Sequence, residues 1–126
     1  MSDWNLEKAK EIYGIDTWGN GYFEVNDAGN VIVCPQGKEN PHVDLLELTE
    51  ELQERGIRCP MLIRFPDITH ERIKLLNQCF KTAIDTYEYK GSYQGVYPIK
   101  VNQQRHLIEE IVELGEQYNL GLECGS

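Results

Sequence analysis

A lysine stands inside an apolar run near the end of the chain, Gly95-Val96-Tyr97-Pro98-Ile99-Lys100-Val101-Asn102-Gln103. The β-branched and aromatic neighbours predict a buried strand, and a lysine is rarely carried fully into an interior without a reason. Burial favours the neutral amine, which can attack a carbonyl carbon and form a Schiff base. The same run also suits an ordinary strand lysine, its stem lying on apolar surface and its ammonium in water. A second ionisable group, Glu123, sits in the last strand-like segment, Leu120-Gly121-Leu122-Glu123-Cys124-Gly125-Ser126. Alternation puts Gly121, Glu123 and Gly125 on one face of that strand. Glu123 reads equally well as a solvated carboxylate at a strand end. A third charged residue in an apolar run is Arg64 of Met61-Leu62-Ile63-Arg64-Phe65. If it points inward, a structural ion pair explains it more simply than a ligand contact.

The elements that must hold these residues follow from pattern and punctuation. Residues 5 to 13 predict a short amphipathic helix stopped by Gly14. Gly21 to Val25 and Asn30 to Pro35 predict a hairpin about the turn Asn26-Asp27-Ala28-Gly29. The Gly/Pro/Asn-rich loop from Pro35 to Pro41 marks the expected boundary between this lead-in and the rest. From Val43 the pattern turns to alternating helices and strands. A helix is expected over Val43 to Arg55, ending at Gly56, then a strand at Met61 to Phe65. A long helix capped by Thr69 runs through Ile84, followed by a strand from Tyr93 to Val101. In that strand Val96, Pro98, Lys100 and Asn102 share one face, although Pro98 gives up a ladder hydrogen bond. Gln103 to Tyr118 predicts a helix whose core face is Leu107, Ile108, Ile111, Val112 and Leu114. Asn102 is placed to cap it. A third strand opens at Leu120. Strand-helix-strand-helix-strand implies right-handed crossovers and a parallel sheet. A final strand with no helix after it is expected of the front portion of a longer protein.

Composition narrows the classes. The chain has 126 residues, 40% of them hydrophobic and 26% charged, which suits one globular domain. With 21 acidic against 12 basic residues the net charge is −9, unsuited to nucleic acid or an anionic membrane. No membrane span and no secretory leader is apparent, so a cytoplasmic location is expected. Cys34, Cys59, Cys79 and Cys124 and the three histidines are scattered, giving neither a disulfide framework nor metal-ligand spacing.

Taken together, Trp18-Gly19-Asn20-Gly21-Tyr22-Phe23, Leu62-Ile63-Arg64-Phe65-Pro66-Asp67-Ile68, Tyr93 to Gln103 and Gly121 to Ser126 resemble the biosynthetic arginine decarboxylases. The Pro-Ile-Lys-Val-Asn-Gln block is the most specific part, and the resemblance runs from about Tyr13 to Ser126. Wider relatives are the ornithine and diaminopimelate decarboxylases and alanine racemase. The resemblance implies an α/β fold: the front part of a pyridoxal-phosphate-binding (β/α)8 TIM-like barrel, preceded by a small β-hairpin lead-in. On that reading residues 1–41 are the lead-in and 42–126 the first, incomplete β/α units. It further implies that Lys100 carries pyridoxal 5'-phosphate as an internal aldimine. Glu123 would act beside it, and Ser126 would join both in contacting the cofactor. The glycines flanking Glu123 would leave room for a flat ring. The implied reaction converts L-arginine to agmatine and CO2 for polyamine biosynthesis. Magnesium is associated with the family, though no ligand can be named, and a homo-oligomer is expected. Alternatives are a decarboxylase of ornithine, lysine or diaminopimelate, or a catalytically inactive decarboxylase-like regulatory binder. A short non-enzymatic domain fits the final strand poorly. A barrel needs about 250 residues, so the isolated chain is expected to be inactive.

Overall fold

The structure is a computed structural model that describes residues 4–37 and 40–125. Contacts divide the chain into two compact units, Met1–Phe65 and Pro66–Ser126.

The first unit is a three-stranded antiparallel sheet with short helices. Helix α1 (Leu6–Tyr13) starts at Asn5, whose side chain accepts from the Lys8 N–H at 2.9 Å. Gly14, in the left-handed conformation, ends it and leads into α2 (Ile15–Trp18). Strands β1 (Phe23–Val25) and β2 (Val31–Val33) form the expected hairpin, with Phe23 opposite Val33 and Val25 opposite Val31. Strand β3 (Val43–Asp44) adds to β2, pairing Val33 with Val43. The core is Ile15, Ile32, Val33 and Cys34. Glu24 is buried as well, with the Lys10 ammonium 3.6 Å from its carboxylate.

One carboxylate ties the hairpin turn to the next helix, α3 (Leu45–Glu54). Asp44 Oδ2 accepts from the side-chain amides of Asn26 at 2.8 Å and Asn30 at 2.9 Å. Its Oδ1 accepts the Leu46 N–H at 2.9 Å and the Glu47 N–H at 3.3 Å, capping α3. Asn26 in turn accepts from the backbone of Ala28 and Asn30, closing the turn. These bonds to the ionised form, the Asn30 amide foremost, hold the Asp44 carboxyl below its ordinary value of 3.8. At the far end of α3, Gly56 (φ 84°) donates to Gln53 O and Ile57 to Leu52 O. This is the closing motif that a left-handed residue makes possible.

Two expectations change here. Val43 and Asp44 join the sheet instead of starting the helix, which begins at Leu45. Met61 to Phe65 forms no strand, because no described strand lies alongside to complete a ladder. The following helix begins at Pro66, three residues before the expected Thr69 cap. Proline's fixed φ and missing N–H suit a first helical position.

In the second unit, α4 (Pro66–Thr86) is 21 residues long and buries none of them fully. Phe80 stacks on Tyr93 with ring centroids 3.8 Å apart. Strand β4 (Val96–Pro98) and strand β5 (Gly121–Glu123) are parallel and joined by α5 (Arg105–Gly115), so a strand-helix-strand unit forms as expected. Of the expected core face of α5, Ile111 is buried and Leu107, Ile108 and Leu114 are half-buried, whereas Val112 is exposed.

Close approach to glycine seats β5. Leu120 packs where a Cβ on Gly115 would lie 2.7 Å from Leu120 Cβ, and one on Gly95 would lie 2.9 Å from Leu120 Cδ1. With Leu120 lodged there, its N–H reaches Gly115 O at 3.1 Å and the Gly121 N–H reaches Gly95 O at 2.9 Å. Among the described residues, no helix is long and apolar enough to cross a membrane.

Two measurements check this account. Because the Asp44 pKa is lower folded than unfolded, its stabilisation is complete above pH 3.8 and lost as pH falls through the folded value. Asp44→Asn should therefore flatten the acid limb of stability against pH, read from urea midpoints at successive pH values. Gly115→Ala would ordinarily gain about 1 kcal/mol of helix propensity. Overpacking against Leu120 costs about 1–3 kcal/mol and outweighs that gain, so the variant should be less stable by up to about 2 kcal/mol in urea unfolding.

Candidate functional site

Lys100 is exposed, contrary to its expected place in a buried strand. The strand stops at Pro98, and Ile99–Val101 form one turn of 3-10 helix with Lys100 at its centre. Pro98 has no N–H to extend the ladder, and this resolves the conflict that a proline in a central strand presented. The turn ends the alternation, so the common face expected for Val96, Pro98, Lys100 and Asn102 does not continue past Pro98. Among the described residues the Lys100 ammonium has no hydrogen bond or ion pair. Asn102 accepts from the Gln104 N–H at 3.1 Å, ordering the entry to α5 one turn ahead of its capping position, which Gln104 holds.

Glu123 ends β5 and is half-buried together with Gly121, while Leu122 between them is exposed. The alternation expected over Gly121 to Glu123 is thus present. Register places Glu123 beside Pro98, two residues before Lys100. The amine and the carboxylate therefore both stand at the carboxyl ends of two hydrogen-bonded parallel strands, whose backbones lie about 4.8 Å apart. Such ends are where parallel α/β sheets carry their chemistry. Like Lys100, Glu123 has no hydrogen-bonding or ionic partner among the described residues.

Other expected residues fall elsewhere. Arg64 is exposed and outside any strand, in the first unit, so strand alternation does not set its direction, and it has an interaction partner. Ser126 lies outside the described residues. Cys34 is buried and Cys59, Cys79 and Cys124 are exposed, all as free thiols. No three Asp, Glu, His or Cys side chains converge on a point among the described residues. An accessible primary amine with a carboxylate on the neighbouring strand does fit attachment of an aldehyde such as that of pyridoxal phosphate. Sequence reasoning missed the glycine seat of Leu120 that sets these two strands side by side. The only signal was Gly95, Gly115 and Gly121 each adjoining an apolar run.

No protein-family model matches the chain. Individual proteins do. The chain is 52% identical over all 126 residues to the biosynthetic arginine decarboxylase of Gloeobacter violaceus, covering 20% of that protein. It is 50% identical over 126 residues to the biosynthetic arginine decarboxylase of Phocaeicola vulgatus, again covering 20% of it. The chain belongs with the biosynthetic arginine decarboxylases. Its fold agrees: the crystal structure of the biosynthetic arginine decarboxylase SpeA from Campylobacter jejuni superposes with a TM-score of 0.79 at 37% identity. That match covers 90% of this chain and 19% of the other. The chain thus spans about a fifth of the length of the decarboxylases it matches and corresponds to their amino-terminal part.

The 3-10 turn makes a simple prediction about the chain. Reductive methylation should modify Lys100 as readily as Lys81, whose side chain is also exposed. Peptide mass spectrometry at short reaction times checks this.

Proposed function

We propose that this chain is the part of an L-arginine decarboxylase that supplies the cofactor-bearing amine, Lys100. The whole protein would convert L-arginine to agmatine and CO2 at the head of polyamine synthesis. The observation that carries this reading is the 52% identity along the entire chain to a protein named for that activity. The exposed, unpaired Lys100 at a parallel-strand end supports it.

Each residue has a chemical task on this reading. Lys100 provides the amine to which pyridoxal phosphate attaches, and when free it is a base at the strand end. The chemistry supplied by that cofactor when bound is an electron sink for the pair left behind as CO2 departs. Glu123 places a negative charge at the adjoining strand end, where it favours the positive form of a nearby nitrogen. Half-burial strengthens that field relative to one in open water. Ser126 follows on the same segment as a polar cofactor contact. The unit β4–α5–β5 is one repeat of the (β/α)8 barrel that the remaining length would complete. Magnesium, a homo-oligomer and a cytoplasmic setting belong to the same proposal.

The test uses the full-length protein. Borohydride reduction after loading with pyridoxal phosphate should leave a mass adduct on the peptide containing Lys100. Lys100→Ala should lose that adduct and lower agmatine formation from L-arginine by about 10³-fold or more. Glu123→Gln should keep the adduct while kcat falls about 10²-fold. An adduct on another lysine, or full activity without Lys100, overturns the assignment.

A further inference from the structure

Glu123 is held by a space rather than by a bond. It has no hydrogen-bonding or ionic partner among the described residues, yet its carboxylate lies back over the chain two residues on. A Cβ built on Gly125 would clash with Glu123 Oε1 and stand 3.0 Å from its Cδ. Only glycine leaves that volume empty. The contrast with Gly115 is informative, because there a Cβ meets Leu120 Cβ, an atom close to the backbone that cannot move aside. At Gly125 the obstructed atom is the far end of a flexible side chain, which can swing away. A methyl group at 125 therefore disturbs the fold little and the carboxylate greatly.

We propose that Gly125 is a positioning residue for Glu123. Its missing side chain admits the carboxylate to the end of the β4–β5 pair. This rests on the reading of Lys100 and Glu123 as site residues given above. Gly125 does not itself touch the chemistry; it acts through where it lets Glu123 lie.

The experiment is a double-substitution cycle in the full-length, cofactor-loaded protein: Gly125→Ala, Glu123→Gln and the pair together, with thermal midpoints and a crystal structure of Gly125→Ala. The expected result is a thermal midpoint close to that of the unaltered protein and a Glu123 carboxylate displaced in the crystal. The Lys100 adduct should still be trapped by borohydride. In kcat, Gly125→Ala should reproduce the fall caused by Glu123→Gln and add nothing to it in the pair. Independent losses that multiply in the pair would overturn the proposal. So would a carboxylate left in place in the crystal, or a large fall in thermal midpoint, which would mark a structural role. If the unaltered protein forms no adduct on Lys100, the underlying functional reading fails instead, and the crystal structure alone still decides whether Gly125 governs the carboxylate.

Discussion

The close approach of Leu120 to two glycines governs the second unit. A strand pair needs its backbones at hydrogen-bonding distance, and here the first bond of the ladder runs from Gly121 to Gly95. Gly95 and Gly115 give up side chains so that Leu120 can fill the space beneath. From that single contact follow the register of Pro98 with Glu123 and the placing of two polar residues at one end of the sheet. The placing of both polar residues therefore depends on residues with no functional groups.

The first unit depends on a different kind of join. Asp44 satisfies two amides of the hairpin turn and two N–H groups of α3 with one carboxylate. A neutral side chain offers fewer acceptor positions, so an aspartate at the strand-helix junction does what no hydrophobic contact there could do. It is the reason a two-residue strand, β3, can be stable enough to draw α3 onto the hairpin. The second unit uses shape where the first uses charge.

Much of this was legible in the sequence wherever the signal was local. Gly14 and Gly56 marked helix ends, and the Asn26 to Gly29 turn marked the hairpin, because each acts through its own backbone conformation. The parallel pairing of β4 with β5 was legible from the alternation of strand and helix. Met61 to Phe65 was misread because strand propensity describes a residue's fit to a sheet, and no described strand lies alongside to pair with it. Lys100 was placed in a buried strand but is exposed on a 3-10 turn. Alternation was carried through Pro98, where the loss of one N–H ends the strand and turns the lysine outward. The shared face of Gly121 and Glu123 was read correctly because both lie on a true strand, whereas Gly125, expected on the same face, is exposed beyond the end of that strand. The role of Asp44 was not seen, since its four partners come from two separate stretches of chain, the hairpin turn and the start of α3.

A parallel sheet of two strands has no interior strand. Both β4 and β5 are edges, and each offers a row of backbone donors and acceptors to any extended peptide that comes near. Val96 adds an exposed apolar side chain to one of those edges. Such an edge is a template for strand addition unless something covers it. The pairing that sets Glu123 beside Pro98 thus also leaves two rows of open donors and acceptors among the described residues.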